Sequence, residues 1–119
     1  MISALMRRPV NSCQRFETAA GLVARRWTPL ILRALQNGPV RYCVLKENLG
    51  QVSERMLIQR LKELQSGGLV GRNVSVDEHP VRVDYELTEK GRALSRVIGG
   101  LERWAEQWIP ATATAAATK

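Results

Sequence analysis

The sequence predicts a mainly helical α+β domain with one small β-hairpin, and three observations predict it. Apolar residues recur at helical spacing from Phe16 to Leu64, the period changes to two between Leu69 and Leu87, and helical spacing returns from Leu94 to Trp108. Helix, short glycine turn, basic helix and hairpin then succeed one another, which is the outline of a winged helix-turn-helix.

The elements follow in order. Residues 1–12 read as an irregular N-terminal arm, interrupted by Pro9 and Asn11. From Cys13 to Ala24 the pattern is helical, with Phe16, Ala19, Ala20 and Val23 on one face. Trp27-Thr28-Pro29 reads as a helix start, with Thr28 as N-cap and Pro29 in the first turn, where its missing N–H costs nothing. The helix over 29–36 is expected to bury Leu30, Ile31, Ala34 and Leu35 before Asn37-Gly38-Pro39 stops it. A short helix over 41–48 follows, lined on one side by Tyr42, Leu45 and Leu49.

Gly50-Gln51-Val52 turns the chain into the stretch VSERMLIQRLKELQSGGL. Ser53 is its expected N-cap and Gly67-Gly68 its end, because glycine adopts the left-handed conformation that closes a helix. Leu57, Leu61 and Leu64 share one stripe; Arg55, Gln59, Lys62 and Ser66 lie opposite. An outer face with Arg, Gln and Lys suits a DNA major groove, since Arg and Gln present paired hydrogen bonds to base edges. An ordinary solvated surface helix has the same pattern, so the surroundings must decide.

Beyond Gly68 two alternating runs, from Leu69 and to Leu87, are joined by Asp77-Glu78-His79-Pro80 and read as a hairpin, with His79 at its tip. Thr88 caps a last helix reaching Trp108. Leu94, Val97, Leu101, Trp104 and Trp108 are spaced three, four, three and four, a heptad seam that Ile98 and Ala105 widen. With Phe16 of the first helix it is expected to form a dimer interface; packing within one chain is the alternative. The domain is thus expected to span 13–108, and 109–119, containing PATATAAATK, is a low-complexity tail.

Composition narrows the function. The 119 residues carry eighteen Lys+Arg against eleven Asp+Glu, a net charge of +7 and a pI near 10.3. That balance points to an anionic partner, nucleic acid before membrane surface. Cys13 and Cys43, with the one histidine His79, supply no zinc-ligand spacing, and no metal or cofactor is expected. No apolar run approaches the ~20 residues of a membrane span. MISALMRRPVNS places its arginines after a very short apolar run, the wrong order for a signal peptide, so a cytoplasmic protein without membrane contact is expected. No acid pair, nucleophile–base pair or glycine-rich phosphate loop is recognisable, so no enzymatic activity is expected.

The run from Gly21 through RWTPLILRAL, SERMLIQRLKEL and HPVRVDYELTEKG to Leu94 resembles the HxlR-type winged helix-turn-helix transcriptional regulators. With Cys13 upstream and the last helix, the resemblance covers nearly all of 13–108. It implies a homodimeric DNA-binding regulator, joined through its first and last helices, with one recognition helix per subunit. It also implies attention to Cys13, because many members carry a cysteine just before the first helix, usually in a Cys-Pro-Val setting, and in some it senses electrophiles or oxidants. Here Gln14-Arg15 replaces Pro-Val. Ile58 stands where a small hydroxylated residue is common.

The candidate residues follow. Arg55 and Gln59 are expected to read bases, and Ser53 and Lys62 to hold phosphates. Arg60 lies nearer the buried edge, as a DNA contact or a carboxylate partner. Arg72 and Arg82 flank the hairpin and are expected at phosphates beside the groove. Cys13, near a helix N-terminus with Arg15, Arg7 and Arg8 close in sequence, is the redox candidate; a small buried hydrophobe is its alternative. Cys43 is expected to be structural or simply tolerated. Trp27 and Trp104 suit either the core or a ligand pocket between subunits. The expected function is a homodimeric regulator of an inverted-repeat operator, open to thiol or small-molecule control. The alternative is a module that docks an acidic protein through the basic helix and tryptophan seam.

Overall fold

A computed structural model describes residues 10–111, with side chains from Cys13 onward. Arg7 and Arg8, the rest of the arm before Val10 and the tail beyond Ala111 lie outside the described residues. The elements are α1 (Val10–Ala24), α2 (Thr28–Ala34), β1 (Val40–Arg41), α3 (Tyr42–Leu49), α4 (Glu54–Ser66), β2 (Val70–Ser75), β3 (Arg82–Leu87) and α5 (Glu89–Trp108). Helices α2 to α4 and a three-stranded antiparallel sheet enclose one core, and the fold is a winged helix-turn-helix.

The core forms where the apolar stripes of α2, α3 and α4 meet the base of the sheet. Ile31 and Leu32 of α2, Leu35 at its C-terminal cap, Leu45 of α3 and Leu57, Leu61 and Leu64 of α4 are at most 1% exposed. Truncating such a leucine to alanine typically costs about 2–5 kcal/mol. Leu69, Val70, Tyr85 and Leu87 close the core from the sheet, and Ile98 from α5.

Local signals set the ends of α4. The Ser53 hydroxyl accepts a hydrogen bond from the Met56 N–H at 3.1 Å, an N-cap contribution of ~1 kcal/mol. At the other end the Leu69 N–H donates to the Leu64 carbonyl and the Gly68 N–H to the Gln65 carbonyl, both at 2.9 Å. Gly68 has φ 75°, so this is the Schellman arrangement in which a left-handed glycine satisfies the last carbonyls. The start of α5 is fastened to the same point. Thr88 caps α5 through the Gly91 N–H and donates its own O–H to the Gly68 carbonyl at 2.6 Å, while Lys90 reaches the Gly67 carbonyl at 2.7 Å. A Cβ on Gly91 would fall on the Leu69 carbonyl oxygen, so only glycine fits there.

Several expectations change. Strand β1 was not expected: two residues after Pro39 pair with β3, Val40 opposite Tyr85 and Arg41 opposite Asp84, so the sheet order is β1-β3-β2. Trp27, not Thr28, caps α2, with φ 78°, and Thr28 is the first helical residue and 1% exposed. A left-handed tryptophan is a strained conformation. Its ring lies under the Arg26 guanidinium at 4.9 Å. Leu30 is 41% exposed, and Leu32 takes its place in the core. α2 ends at Ala34 rather than 36. α1 begins at Val10, three residues earlier than expected. Ile98 belongs to the core face of α5 with Gly91 and Ser95, and not to the seam.

Candidate nucleic-acid interface

The burial of Leu57, Leu61 and Leu64 turns the opposite face of α4 to solvent. Arg55, Ile58, Gln59 and Lys62 are all exposed there. Among the described residues, Arg55, Gln59, Lys62 and Arg72 form neither an ion pair nor a side-chain hydrogen bond, whereas five other arginines are in ion pairs: Arg25, Arg33, Arg41, Arg60 and Arg82. A groove of about 620 Å³ runs between α4 and the hairpin, with Ile58 and Lys62 on one wall and Arg72 and Val83 on the other. The structure thus brings Arg72 beside Lys62. Ser53, at the N-terminal end of the same face, spends an acceptor position on its cap and retains its O–H for donation.

Two expected contacts leave this face. Arg60 is turned inward: its Nε donates to the Arg26 carbonyl at 2.9 Å and its Nη1 to Glu63 at 3.2 Å, and its side chain is 11% exposed. Glu63 also receives Arg25 at 3.1 Å, so Arg60 and Glu63 fasten α4 to the strained turn before Trp27. Of the two readings of Arg60, the carboxylate partner is the one observed. Arg82 pairs with Ser75 in the register, while Arg72 pairs with Tyr85. Since side chains alternate across a strand, the two arginines project from opposite faces of the hairpin. Arg82 donates to both carboxylate oxygens of Asp84, at 3.0 and 3.1 Å. This hydrogen bond and charge hold its guanidinium still more firmly protonated than usual.

The face of α5 away from the core carries Val97, Leu101, Trp104 and Trp108, from 55% to 62% exposed, and Phe16 of α1 is 74% exposed. Leu94, at the start of the seam, is partly buried against the core. Cys13 lies inside α1 rather than before it, as its fourth residue, and is exposed. Cys43 is exposed as well, which leaves the tolerated reading rather than the structural one, and it opens on the cleft beside the hairpin tip with Arg41, His79 and Arg82. Trp27 is partly buried against the core; Trp104 is not.

Residues 22–113 match the HxlR-like helix-turn-helix family. The chain belongs to that family. It is 43% identical over 97 residues to YvaP, an uncharacterized HTH-type transcriptional regulator of Bacillus subtilis (strain 168), covering 82% of this chain and 89% of YvaP. It is 42% identical over 96 residues to the HTH-type transcriptional regulator YodB of the same organism, covering 81% of this chain and 85% of YodB. The reduced form of YodB superposes with a TM-score of 0.70 at 41% identity, over 80% of this chain and 92% of that one. YodB is also known diamide-treated and quinone-bound. The redox regulator HypR in its oxidized form superposes with a TM-score of 0.72 at 27% identity, over 78% of this chain and 95% of HypR. No helix among the described residues of this HxlR-like chain is long and apolar enough to cross a membrane.

One residue at the HxlR-like groove escaped the sequence reading. Tyr42, which the sequence presents as part of an apolar stripe, has a buried hydroxyl with no hydrogen-bond partner among the described residues, packed beside the Tyr85 ring at 6.4 Å between centroids. Burial first, and then the negative charge of Glu54, push its pKa above the ordinary tyrosine value. Nothing in a Tyr-Cys-Val-Leu run signals an orphaned hydroxyl, because the orphaning depends on β3 and α4 closing over it.

Proposed function

We propose that the protein is a homodimeric, sequence-specific DNA-binding transcriptional regulator. The observation that carries the reading is the outer face of α4, where Arg55, Gln59 and Lys62 stand exposed and, among the described residues, unpaired, with Lys62 facing Arg72 across a groove. Cations without internal partners await an external anion, and at the mouth of a major groove Arg55 and Gln59 have the chemistry to read base edges while Ser53, Lys62 and Arg72 hold phosphates. Names of the relatives, all HTH-type transcriptional regulators, support the same reading and a non-catalytic role. Arg60 is withdrawn from the contact set, and Arg82 is at most a contact from the far face of the wing.

Homodimerisation is supported by the exposed seam. Large apolar side chains clustered at this exposure favour burial against a second apolar surface, and an identical seam is one. Two α4 helices related by a two-fold axis would enter successive major grooves of an inverted repeat, about one helical turn of DNA apart or a multiple of it. Control through a thiol is supported by the diamide-treated form of YodB, by the redox regulator HypR and by the exposure of Cys13 next to Phe16 on α1.

Anisotropy titrations with duplex from the protein's own promoter and with random duplex, at physiological salt, test the reading. The expected result is a clear preference for promoter DNA with steep salt dependence. Equal affinity for both duplexes would favour the acidic-partner module instead. Mild oxidant should lower promoter affinity in the wild type and leave Cys13→Ser unaffected; equal sensitivity would remove Cys13 from the account.

A further inference from the structure

We infer that α5 carries a second anion site, separate from the α4 face, which takes a small phosphate-bearing molecule. Arg92, Ser95, Arg96 and Arg103 of α5 line a cleft of about 460 Å³ whose other wall is Gln36 and Asn37, in the turn after α2. Every polar side chain named there offers a hydrogen-bond donor, three of them as guanidinium forks that match phosphate oxygens. Among the described residues no carboxylate lines the cleft.

The arginines are held together rather than dispersed. Arg92 is anchored by donating to the Leu87 carbonyl at 3.1 Å. Gly99 and Gly100 leave the helix surface bare, and the Arg103 guanidinium folds back over them: its nitrogens come within 3.5 and 3.8 Å of where their Cβ atoms would stand. Arg103 is thereby drawn along the helix towards Arg96. Neither Arg96 nor Arg103 has an ion-pair partner among the described residues, and the neighbouring Glu102 is engaged by Arg33 at 3.4 Å. Like charges at helical spacing repel, and no ion pair among the described residues offsets this.

Helix geometry keeps the site open in a dimer. At 3.6 residues per turn, Arg92, Arg96, Gly99 and Arg103 form one strip, roughly 150° around α5 from the Val97–Leu101–Trp104–Trp108 seam. A partner copy seated on the seam therefore leaves the strip uncovered. The cleft has its own second wall and a volume of about 460 Å³, which favours a small ligand over DNA.

Inorganic pyrophosphate is the probe, titrated by calorimetry into the DNA-free protein at constant ionic strength. Saturable binding is expected, weakened roughly tenfold or more when two guanidinium forks are removed in the double variant Arg96→Gln/Arg103→Gln. The variant should keep wild-type promoter affinity and melting temperature, since both side chains are exposed. The double variant Arg55→Gln/Lys62→Gln should bind pyrophosphate as the wild type does. Equal pyrophosphate affinity in the wild type and the α5 variant would overturn the proposal, as would loss of binding in the α4 variant. Loss of promoter affinity in the α5 variant would give the strip to the DNA backbone and overturn it equally.

Discussion

Helices α4 and α5 are both one-sided, yet they leave opposite things unsatisfied. In α4 the apolar residues Leu57, Leu61 and Leu64 are buried to within 1% in a single chain, and what remains outside includes Arg55, Gln59 and Lys62, unpaired among the described residues. In α5 only Gly91, Ser95 and Ile98 form the buried face, and what remains outside includes Val97, Leu101, Trp104 and Trp108, each more than half exposed. The first helix is finished as a packing element and open as a polar one. The second is unfinished as a packing element. The proposed function rests on this contrast, with anion recognition at α4 and association with another apolar surface at the seam of α5.

The largest effect should come from breaking the apolar side of this contrast. Trp104→Glu puts a charge into the seam without opening a cavity in the protomer, because Trp104 is 55% exposed. Light scattering should report a monomer, and promoter affinity should fall by about 100-fold or more with the loss of bivalent attachment. A dimer with unchanged affinity would return the seam to some other role.

Next in size is a pair of arginines five positions apart on α4. Arg55→Ala should cost ~1–3 kcal/mol of specific binding and relax the preference at one base pair, with the fold intact. Arg60→Ala should do the reverse, lowering stability by about 1–3 kcal/mol by removing the donor to the Arg26 carbonyl and Glu63. Chemical melts and anisotropy on both variants separate the two. If Arg60→Ala melts like wild type and loses specificity, the inward assignment of Arg60 is wrong.

The smallest effect lies at Tyr42. Removing its orphaned hydroxyl in Tyr42→Phe should raise stability by up to about 1 kcal/mol at neutral pH. The folded protein holds the Tyr42 proton more tightly than the unfolded chain does. The contribution of this group is therefore fully present below the ordinary tyrosine pKa of about 10 and is lost as pH rises from there towards the folded value. Tyr42→Phe should lack that alkaline loss. Melts of the two proteins at neutral and strongly alkaline pH measure the difference, and parallel behaviour would show the hydroxyl to be solvated.

What was legible in the sequence was local or periodic. Ser53, Gly68 and Thr88 cap their helices through bonds to residues within a few positions, so residue type and spacing were sufficient. The two strands of the hairpin announced themselves by alternation. What escaped depends on partners distant in sequence. Val40–Arg41 is a strand only because β3 pairs with it. Arg60 sits at the boundary between the two faces of α4, and the carbonyl of Arg26 decides which way it turns. Arg72 and Arg82 look alike beside a hairpin until the register puts them on opposite faces. Ile98 and Val97 are adjacent, and only the packing of α5 against the core separates a buried residue from a seam residue. The candidate site was thus legible as a face, and its membership only in part.

Hydrogen–deuterium exchange of the protein with and without promoter duplex tests the central assignment most directly. The account predicts slowed exchange in peptides covering 53–66 and 70–75, with the α5 strip around Arg96 unchanged. Saturating DNA binding that leaves α4 exchange unaltered would contradict it.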